Sequence, residues 1–202
     1  MNAAPRPLAA PAPSAHALPP ALALVPHALA VLWLGLMAGF FGTYSGNVNL
    51  ATLTLDGRTY AVVQSELNRN VRHPLFFALF FGPPVWCLLA LATGWSRRRE
   101  GWWLVLATVA VAYVAGIVFF TREVNVPLNA LTEGWNPAAV PPDWAAVRAQ
   151  WNAANLWRAL LSLVAFVAGL ATLVWRTARA FGPWPASRGA PACPPPCTPA
   201  RL

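Results

Sequence analysis

The chain has 202 residues, of which 57% are hydrophobic and only 10% are charged, and its net charge is +8. In a typical soluble domain about a quarter of the residues are charged. This composition excludes an ordinary water-soluble enzyme and indicates a membrane protein. The three cysteines are too few for a disulfide framework.

The two ends of the chain differ in composition from its middle. The first 27 residues form a leader rich in proline and alanine, which we predict to be disordered. It is too long and too often interrupted by proline for a typical secretory signal peptide. Residues 179–202 are also rich in proline and are predicted to form a disordered tail. Residues 28–178 then make up the membrane domain.

Four stretches are long and apolar enough to cross a bilayer, whose hydrocarbon core of about 30 Å requires about twenty residues of helix. Lipid cannot pair free backbone groups, so each stretch is predicted to be a helix. The predicted fold class is therefore all-α, a four-transmembrane-helix bundle with short helices in the non-cytoplasmic loops. The predicted spans lie near residues 28–46, 74–95, 101–124 and 154–176.

The basic residues predict how the bundle is oriented. With four spans, both termini and the loop between the second and third spans share one side, and that loop carries Arg97, Arg98 and Arg99 with a single acid, Glu100. The positive-inside rule then predicts a multi-pass protein of the cell membrane with both termini in the cytoplasm. The net charge thus indicates orientation, and we expect membrane lipid as a partner and no nucleic acid.

Both predicted outer loops contain signals for the start of a helix. Asp56 is a suitable N-cap for a short helix, and Asp143 can cap a helix that continues into the fourth span. Pro74 suits the first turn of the second span. Pro83 and Pro84 lack N–H groups, so we expect them to interrupt that span and to free carbonyl groups within it.

Polar side chains collect at the predicted outer end of the bundle. An ionisable residue in a membrane helix is costly, and it usually faces a cavity or a charged partner. Counting the helical rise of about 1.5 Å per residue places Glu123 and Arg158 at a similar depth, so we expect them to form an ion pair. The candidate residues at this end are Tyr44, Asn68, Arg72, His73, Glu123, Asn125, Asn129, Trp151, Asn155 and Arg158.

Two interpretations of these residues stay open. The first is a structural clamp, in which a Glu–Arg ion pair and asparagine amides hold four helices together while the loops bind a partner. The second is a pocket in which Arg158 stabilises a phenolate or enolate through its fixed fork of donors and Asn155 orients it. Glu123 or His73 would then remove a proton, although His73 precedes a proline and also fits a role at the start of a helix.

In the pocket interpretation the substrate would be bound by the remaining candidates, which are Tyr44, Asn68, Arg72, Asn125, Asn129 and Trp151. A small-molecule carrier is a third possibility, but the inverted repeats common in transporters are not recognisable. The sequence has no glycine-rich phosphate loop and no HExxH motif. Cys193 and Cys197 form a CPPPC motif without further metal ligands nearby, so we predict neither a metal nor another cofactor.

Several of these residues fall into a pattern that resembles a known family. The run from Asn125 to Asn129, NVPLN, is followed by Trp151, Asn155 and Arg158 at the start of the last span. This combination resembles the anthrone oxygenase-like family of small four-helix integral membrane proteins, long catalogued as a domain of unknown function. The resemblance covers roughly residues 28–176. It extends to residues 40–45, Gln64, Asn68 and residues 74–76, whereas Ala154 stands where many relatives have an aromatic residue.

The resemblance implies a four-helix membrane bundle. The activity named for the family is oxidation of an anthrone to an anthraquinone in aromatic polyketide biosynthesis, without a metal or flavin. A small aromatic substrate and dioxygen would then be the partners. Trp151, Tyr44 and Phe76 are candidates for the walls of a pocket for such a planar substrate. The residues predict no oligomeric state, and they leave the choice between an oxygenase, a clamp and a carrier open.

Overall fold

The computed structural model describes residues 20–181 of the chain. Within this range the residues form helices and turns and no strand, so the predicted all-α class is confirmed. The predictions for residues 1–19 and 182–202, including the CPPPC motif, fall outside the described residues. The α-helices are α1 (Pro20–Thr43), α2 (Asn49–Thr52), α3 (Gly57–Asn70), α4 (Pro74–Thr93), α5 (Gly101–Tyr113), α6 (Val126–Glu133) and α7 (Trp144–Phe181).

Four continuous helical segments are long and apolar enough to cross a membrane, as the sequence predicts. The first span runs from α1 into α2 (Ala21–Thr52), and the second is α4. The third runs from α5 into α6 (Gly101–Glu133), and the fourth is α7 (Trp144–Ala180). We call the end of the bundle that holds α3 and α6 the loop end; it is the end predicted from the sequence to face outward.

The first and last helices extend beyond the bounds predicted from the sequence. The leader was predicted to continue to residue 27, but α1 begins at Pro20. His27 is fully buried in this segment, and its Nε2 atom lies 3.1 Å from Thr172 Oγ1 of α7. Proline is well tolerated where a helix begins, because the first N–H groups of a helix have no intrahelical partner. At the other end α7 continues to Phe181, past the predicted boundary at residue 178.

The helices pack around a core that lies between α1, α4, α5 and α7. α1 packs mainly against α4 and α7, and α5 packs against α7 and α4. Leu34, Met37 and Phe41 of α1 and Leu106 of α5 are among the buried core residues. Helix packing in lipid depends on close fit rather than on water exclusion. Interlocking of such side chains is therefore what positions the polar residues at the loop end.

One backbone carbonyl freed by proline is paired with a neighbouring helix. Pro83 and Pro84 lie inside α4, which nevertheless remains one continuous helix, so the expected interruption is wrong. In a regular helix the residue at position 84 would donate to the carbonyl of Phe80. Pro84 has no N–H group, and the hydroxyl of Tyr113 on α5 donates to the Phe80 carbonyl instead, at 3.0 Å. The predicted loss of a backbone bond is thus compensated by a neighbouring helix, as membrane interiors require.

One arginine of the fourth span, Arg176, is buried at the end of the bundle opposite the loop end. Arg176 is only 5% exposed, and it donates to the Ala90 carbonyl at 3.4 Å and to Thr93 Oγ1 at 3.3 Å. Its guanidinium carbon lies 4.7 Å from the centre of a Trp102 ring. Arg176 therefore fastens α7 to α4 and α5, a role that a count of charges by side of the membrane does not reveal.

Candidate functional site

A cavity of about 570 Å³ lies at the loop end, enclosed by α1, α3, α4, the third span and α7. Most of its wall is aromatic or aliphatic, with six phenylalanines from α1 and α4 among the lining residues. Cavities of roughly 300–1,000 Å³ with apolar walls and a few polar groups are typical of small-molecule sites. The polar or charged lining residues are Tyr44, Asn68, Arg72, Thr121, Arg122, Asn129, Glu133, Asn155 and Arg158.

Arg158 lies on α7 at the wall of this cavity and is only 6% exposed. Its Nη2 atom donates to Asn155 Oδ1 at 2.8 Å, and its Nη1 atom lies 3.4 Å from Thr121 Oγ1. The guanidinium carbon stands 4.6 Å from the centre of the Phe41 ring. No carboxylate of the described residues lies within ion-pair distance, and the buried Nε atom has no partner in the protein. Arg158 is thus a buried cation with unused hydrogen-bonding capacity at a cavity wall.

Asn155 connects Arg158 to the first span. Its Oδ1 atom accepts from Arg158, and its Nδ2 atom donates to Ser45 Oγ at 2.8 Å. Ser45 lies in a π-helical turn, Tyr44–Val48, in which the Asn49 N–H group bonds to the Tyr44 carbonyl. Such single π turns shift side chains relative to a regular α-helix and often occur at functional sites. The turn therefore places both Tyr44 and Ser45 beside the fourth span.

Trp151 and its neighbours form another part of the wall. The Trp151 ring centre lies 5.1 Å from that of Tyr44, and Trp151 Nε1 donates to Asn129 Oδ1 at 2.7 Å. Tyr44, Asn129 and Trp151 all line the cavity, together with Phe76 of α4. An aromatic ring held by a hydrogen bond at its edge presents a fixed face to a ligand. Trp151, Tyr44 and Phe76 thus line one cavity, and a planar substrate between them stays a prediction.

A layer of polar contacts between α3 and α6 closes the cavity toward the loops, and we call it the roof. Asn68 Nδ2 donates to Thr132 Oγ1 at 3.3 Å, and Asn68 Oδ1 accepts from Gln64 Nε2 at 2.9 Å. Ser65 Oγ donates to the Thr132 carbonyl at 3.3 Å. Beside them Arg72 forms an ion pair of 2.7 Å with Glu133. The roof ties the two loop helices together above the apolar cavity.

Three of the residues predicted from the sequence lie outside the cavity wall. His73 is exposed and caps α4, where its Nδ1 atom accepts from the Phe76 N–H group at 3.2 Å. Glu123 is also exposed and lies beside Arg122 at 3.4 Å, in a shallow groove between the third span and α7. Asn125 is buried, but it is not among the cavity-lining residues, and neither of its amide atoms has a partner in the protein.

The expected ion pair between Glu123 and Arg158 is therefore wrong. The depth of Glu123 along the third span was estimated correctly, because Thr121, two residues before it, contacts Arg158. Two residues along a helix differ by about 200° in direction, however, so Glu123 points to the opposite face. Two π-helical turns, Val114–Phe119 and Thr121–Asn125, further change the rotation of this segment. Depth counting alone gives no information about the face on which a side chain lies.

Sequence reasoning missed Glu133, which lines the cavity and has a buried Oε1 atom without a protein partner. The third span was predicted to end near residue 124, shortly before Pro127, because proline disfavours helix in the residue before it. Proline is also common in the first turn of a helix, and here it begins α6. Val126, Asn129, Ala130 and Glu133 recur at steps of three and four, so this helical spacing is the signal that could have identified Glu133.

Metal-ligating residues do not gather at this site. Across residues 20–181 no group of three or more His, Cys, Asp or Glu side chains is close enough to hold a metal ion. Among the described residues, Glu133 is the only carboxylate at the cavity wall. The chemistry available from this part of the chain is therefore that of one buried guanidinium, several amides and hydroxyls, and one carboxylate at the roof.

Comparison with known families matches part of the chain. A family model described as anthrone oxygenase matches residues 75–168, which include α4, the third span and the cavity-lining part of α7. No curated protein and no solved structure matches the chain. The matched segment contains Asn129, Glu133, Trp151, Asn155 and Arg158, and it is shorter than the resemblance over residues 28–176 inferred from the motifs. Through this segment the chain is similar to the anthrone oxygenase family.

Proposed function

We propose that the cavity binds a planar phenolic or anthrone-like molecule and that the protein oxygenates it with dioxygen, without a cofactor. The observation that carries this proposal is Arg158, a buried guanidinium with no carboxylate partner at the wall of an aromatic cavity. A buried charge normally requires a partner. A phenolate oxygen of a bound substrate supplies the missing negative charge.

The polar groups around Arg158 fit an anionic ring oxygen. Guanidinium donors are fixed in a plane and remain charged, so they stabilise an oxyanion without reorganising. Asn155 holds one nitrogen of the guanidinium at 2.8 Å, whereas Nη1 has only a 3.4 Å contact with Thr121 and can donate to a ligand. Phe41 supports the other face of the group at 4.6 Å. This arrangement favours the ionised form of a phenol or enol over its neutral form.

The walls fit a flat and apolar ligand body. Phe76 and Phe80 line the cavity, with their ring centres 5.6 Å apart and their planes inclined by 26°. Trp151 and Tyr44 line another part of it. Aromatic surfaces of this kind bind planar rings by burial and by offset stacking. A ligand of two or three fused rings is within the range of volumes that such a cavity accepts.

Glu133 is the residue that we propose as the proton acceptor. Glu123 and His73 lie outside the cavity wall, so they are poorly placed for this step. Glu133 lines the cavity, and its Oε1 atom is free of protein partners while Oε2 bonds to Arg72 at 2.7 Å. The Arg72 contact orients the carboxylate. A base must come within hydrogen-bonding reach of the proton that it removes.

The overall reaction balances without another reactant. Loss of a proton from the ring CH₂ of an anthrone gives an enolate, whose oxygen would lie at Arg158. Its carbon transfers electrons to dioxygen and forms a C–O bond, and protonation gives a hydroperoxide. Loss of water from this hydroperoxide leaves the second carbonyl of an anthraquinone. One dioxygen is consumed and one water is released for each substrate, and the carbon centre is oxidised by four electrons.

The test is oxygen consumption by the reconstituted protein. Wild type and Arg158→Ala are placed in phospholipid vesicles, anthrone is added, and oxygen uptake is followed together with anthraquinone absorbance. The proposal expects uptake to fall by about 100-fold or more in Arg158→Ala, the range seen when an oxyanion donor is removed. Arg69→Ala is the matched control, because Arg69 is half-exposed and pairs only with Glu66 on α3. Equal uptake by wild type and Arg158→Ala, with both folded, contradicts the proposal.

The clamp remains the second candidate, and specific contacts favour it. Asn129 bonds to Trp151 and Asn155 bonds to Ser45, so two asparagines do join neighbouring spans. A clamp predicts that Arg158→Met, which leaves Asn155 Oδ1 without its donor, destabilises the bundle. It also predicts no binding of a phenol. Binding of anthrone that is lost in Arg158→Met therefore separates the two candidates.

We further propose that the protein resides in the cell membrane with both termini in the cytoplasm. The distribution of arginines supports this orientation. Cys193 and Cys197 near the C-terminus offer a direct test, because Cys87 in α4 is buried. A membrane-impermeant maleimide should label these two cysteines only after cells are opened. Labelling in intact cells contradicts the orientation.

A further inference from the structure

The cavity has one side wall that is made of outward-facing apolar residues, and we call it the lateral mouth. Phe77 and Phe81 of α4 line the cavity and yet remain 43% and 46% exposed. Phe119 of the third span also lines the cavity, and it is 53% exposed. A residue that borders a cavity and is also exposed marks the edge of an opening. The cavity therefore opens sideways between α4 and the third span.

The lateral mouth lies at the depth of the hydrocarbon. From Trp102 to Phe119 the helical rise amounts to about 26 Å, which is within the roughly 30 Å core of a bilayer. Arg122, one turn further along the third span, is strongly exposed and pairs with Glu123, as expected for a residue among lipid headgroups. The rim residues are therefore surrounded by acyl chains rather than by water.

The diverging course of two spans explains the opening. Deep in the bundle α4 and α5 are in extensive contact, and the Tyr113 hydroxyl bonds to the Phe80 carbonyl. Toward the loop end the contact between α4 and the π-helical segment Val114–Phe119 is sparse. The first π turn begins directly after Tyr113. The two spans are thus fastened at one level and separate above it.

The side of the cavity toward water is crossed by polar contacts. The roof joins α3 to α6 through the Asn68 to Thr132 hydrogen bond and the Arg72 to Glu133 ion pair. The exposed lining residues on this side are charged, Arg72 and Arg122, whereas a lipid-dissolved molecule meets phenylalanine side chains at the lateral mouth. The two boundaries of the cavity therefore favour opposite classes of ligand.

We propose that the ligand enters from the bilayer through the lateral mouth, and that it is a phenol with an apolar extension that projects between α4 and the third span into lipid. This inference rests on the proposed binding of a phenolic ring at Arg158, and it adds both the route and the class of ligand. Specificity for the extension is then low, because lipid rather than protein surrounds it. A fully enclosed site would instead reject extended ligands.

The experiment uses a phenol that cannot leave the bilayer. The probe is a phosphatidylcholine that carries a para-hydroxyphenyl group at the end of an octanoyl chain, and its control is the same lipid with an unsubstituted phenyl group. Free para-hydroxybenzophenone is the photoreactive reporter, and its adducts on cavity residues are measured by peptide mass spectrometry. The full-length protein in vesicles should show displacement of the reporter by the hydroxyl-bearing lipid and by free para-ethylphenol, but not by the phenyl control.

Blocking the lateral mouth provides the matched comparison. Phe119→Cys, in a Cys193→Ser and Cys197→Ser background, is alkylated with N-benzylmaleimide before reconstitution. Val111→Cys is the control, since Val111 is an exposed residue of the same span that does not line the cavity. The adduct at position 119 should weaken competition by the lipid-tethered phenol by about tenfold or more, because steric exclusion removes a ligand that must pass the rim. Competition by free para-ethylphenol, measured on the same adduct, is the reference for this loss.

The outcomes distinguish this inference from the proposed function. If the reporter labels the cavity and para-ethylphenol displaces it, but the tethered phenol never does, the lateral route is wrong and phenol binding stands. If the adduct at position 111 has the same effect as that at 119, the lateral mouth is likewise contradicted. If the reporter gives no cavity adducts that para-ethylphenol suppresses, the proposed function itself fails. Selective loss of the tethered ligand in the Phe119 adduct supports the inference.

Discussion

Asn155 Oδ1 accepts a 2.8 Å hydrogen bond from Arg158 Nη2, and Asn155 Nδ2 donates one of the same length to Ser45 Oγ. The position of the guanidinium is thus coupled to the π-helical turn at the end of α1. Arg158 has no other short hydrogen bond among the described residues, because its contact with Thr121 is 3.4 Å long. Asn155 is therefore the main positioning residue of the buried cation.

Replacing Asn155 by Ala should impair activity more than folding. Without its acceptor the guanidinium can shift within the cavity, and a displacement of about 1 Å can cost roughly 100-fold in rate. We expect anthrone-dependent oxygen uptake to fall by about 10- to 100-fold, with the loss in kcat rather than in KM, because the cation still attracts the phenolate. Asn47→Ala is the control, since Asn47 is exposed in the same π turn that contains Ser45. An unchanged kcat in Asn155→Ala would contradict a positioning role.

Tyr113→Phe should destabilise the bundle without touching the proposed chemistry. The variant leaves the Phe80 carbonyl without a donor, since Pro84 cannot replace it. An unpaired buried polar group lowers the free energy of unfolding by about 1–3 kcal/mol. The midpoint temperature of unfolding in detergent should therefore be lower than that of wild type. Thr108→Val on the same helix is the control, because Thr108 is exposed and bonds only to the Leu104 carbonyl within its own helix. Equal stability of Tyr113→Phe and wild type would show that the Phe80 carbonyl finds another donor.

The spans and the residues that carry the site could be predicted from the sequence to different degrees. Hydropathy over twenty-residue windows depends only on composition, so all four spans were recovered. Arg158, Asn155 and Trp151 were placed on one face because α7 is a regular helix. Glu123 was misplaced and Glu133 was missed, because the third span contains two π-helical turns that no local pattern announced. In a regular helix the spacing of residues in the sequence predicts which side chains share a face, whereas in a helix with π-helical turns it does not.

The burial of Arg176 and His27 illustrates another limit of the sequence. Both lie near the ends of predicted spans, where a charged or polar residue normally reaches water or headgroups. Their burial depends on Trp102, whose ring lies against both side chains. Such a contact joins three helices that are far apart along the chain. This contact depends on tertiary packing, and it cannot be predicted from the composition or hydropathy of one segment.

The stability of the loop end should depend on pH through the cap of α3. Asp56 accepts from the Thr59 backbone N–H group at 3.0 Å, and this bond lowers the pKa of its carboxyl group. A carboxyl group with a lowered folded-state pKa stabilises the fold above its unfolded-state pKa, and this contribution is lost as the pH falls through the folded-state value. Asp56→Asn keeps an acceptor but does not titrate. Hydrogen exchange of α3 should therefore accelerate on acidification more in wild type than in Asp56→Asn, and parallel profiles would contradict the role of this carboxylate.

Glu133 provides the sharpest test of the proposed chemistry, because removing its charge separates proton transfer from ligand binding. In Glu133→Gln the side chain keeps its size and can still accept from Arg72, so the roof should remain closed. Loss of a general base typically costs about 100- to 10,000-fold in rate, and we expect kcat for anthrone to fall within this range while anthrone binding persists. Arg72→Ala is the informative companion, since it frees the carboxylate from its ion pair without removing it. Anthrone substituted with deuterium at the reacting carbon should show a kinetic isotope effect in wild type if proton removal limits the rate. Turnover by Glu133→Gln at the wild-type rate would exclude Glu133 as the base.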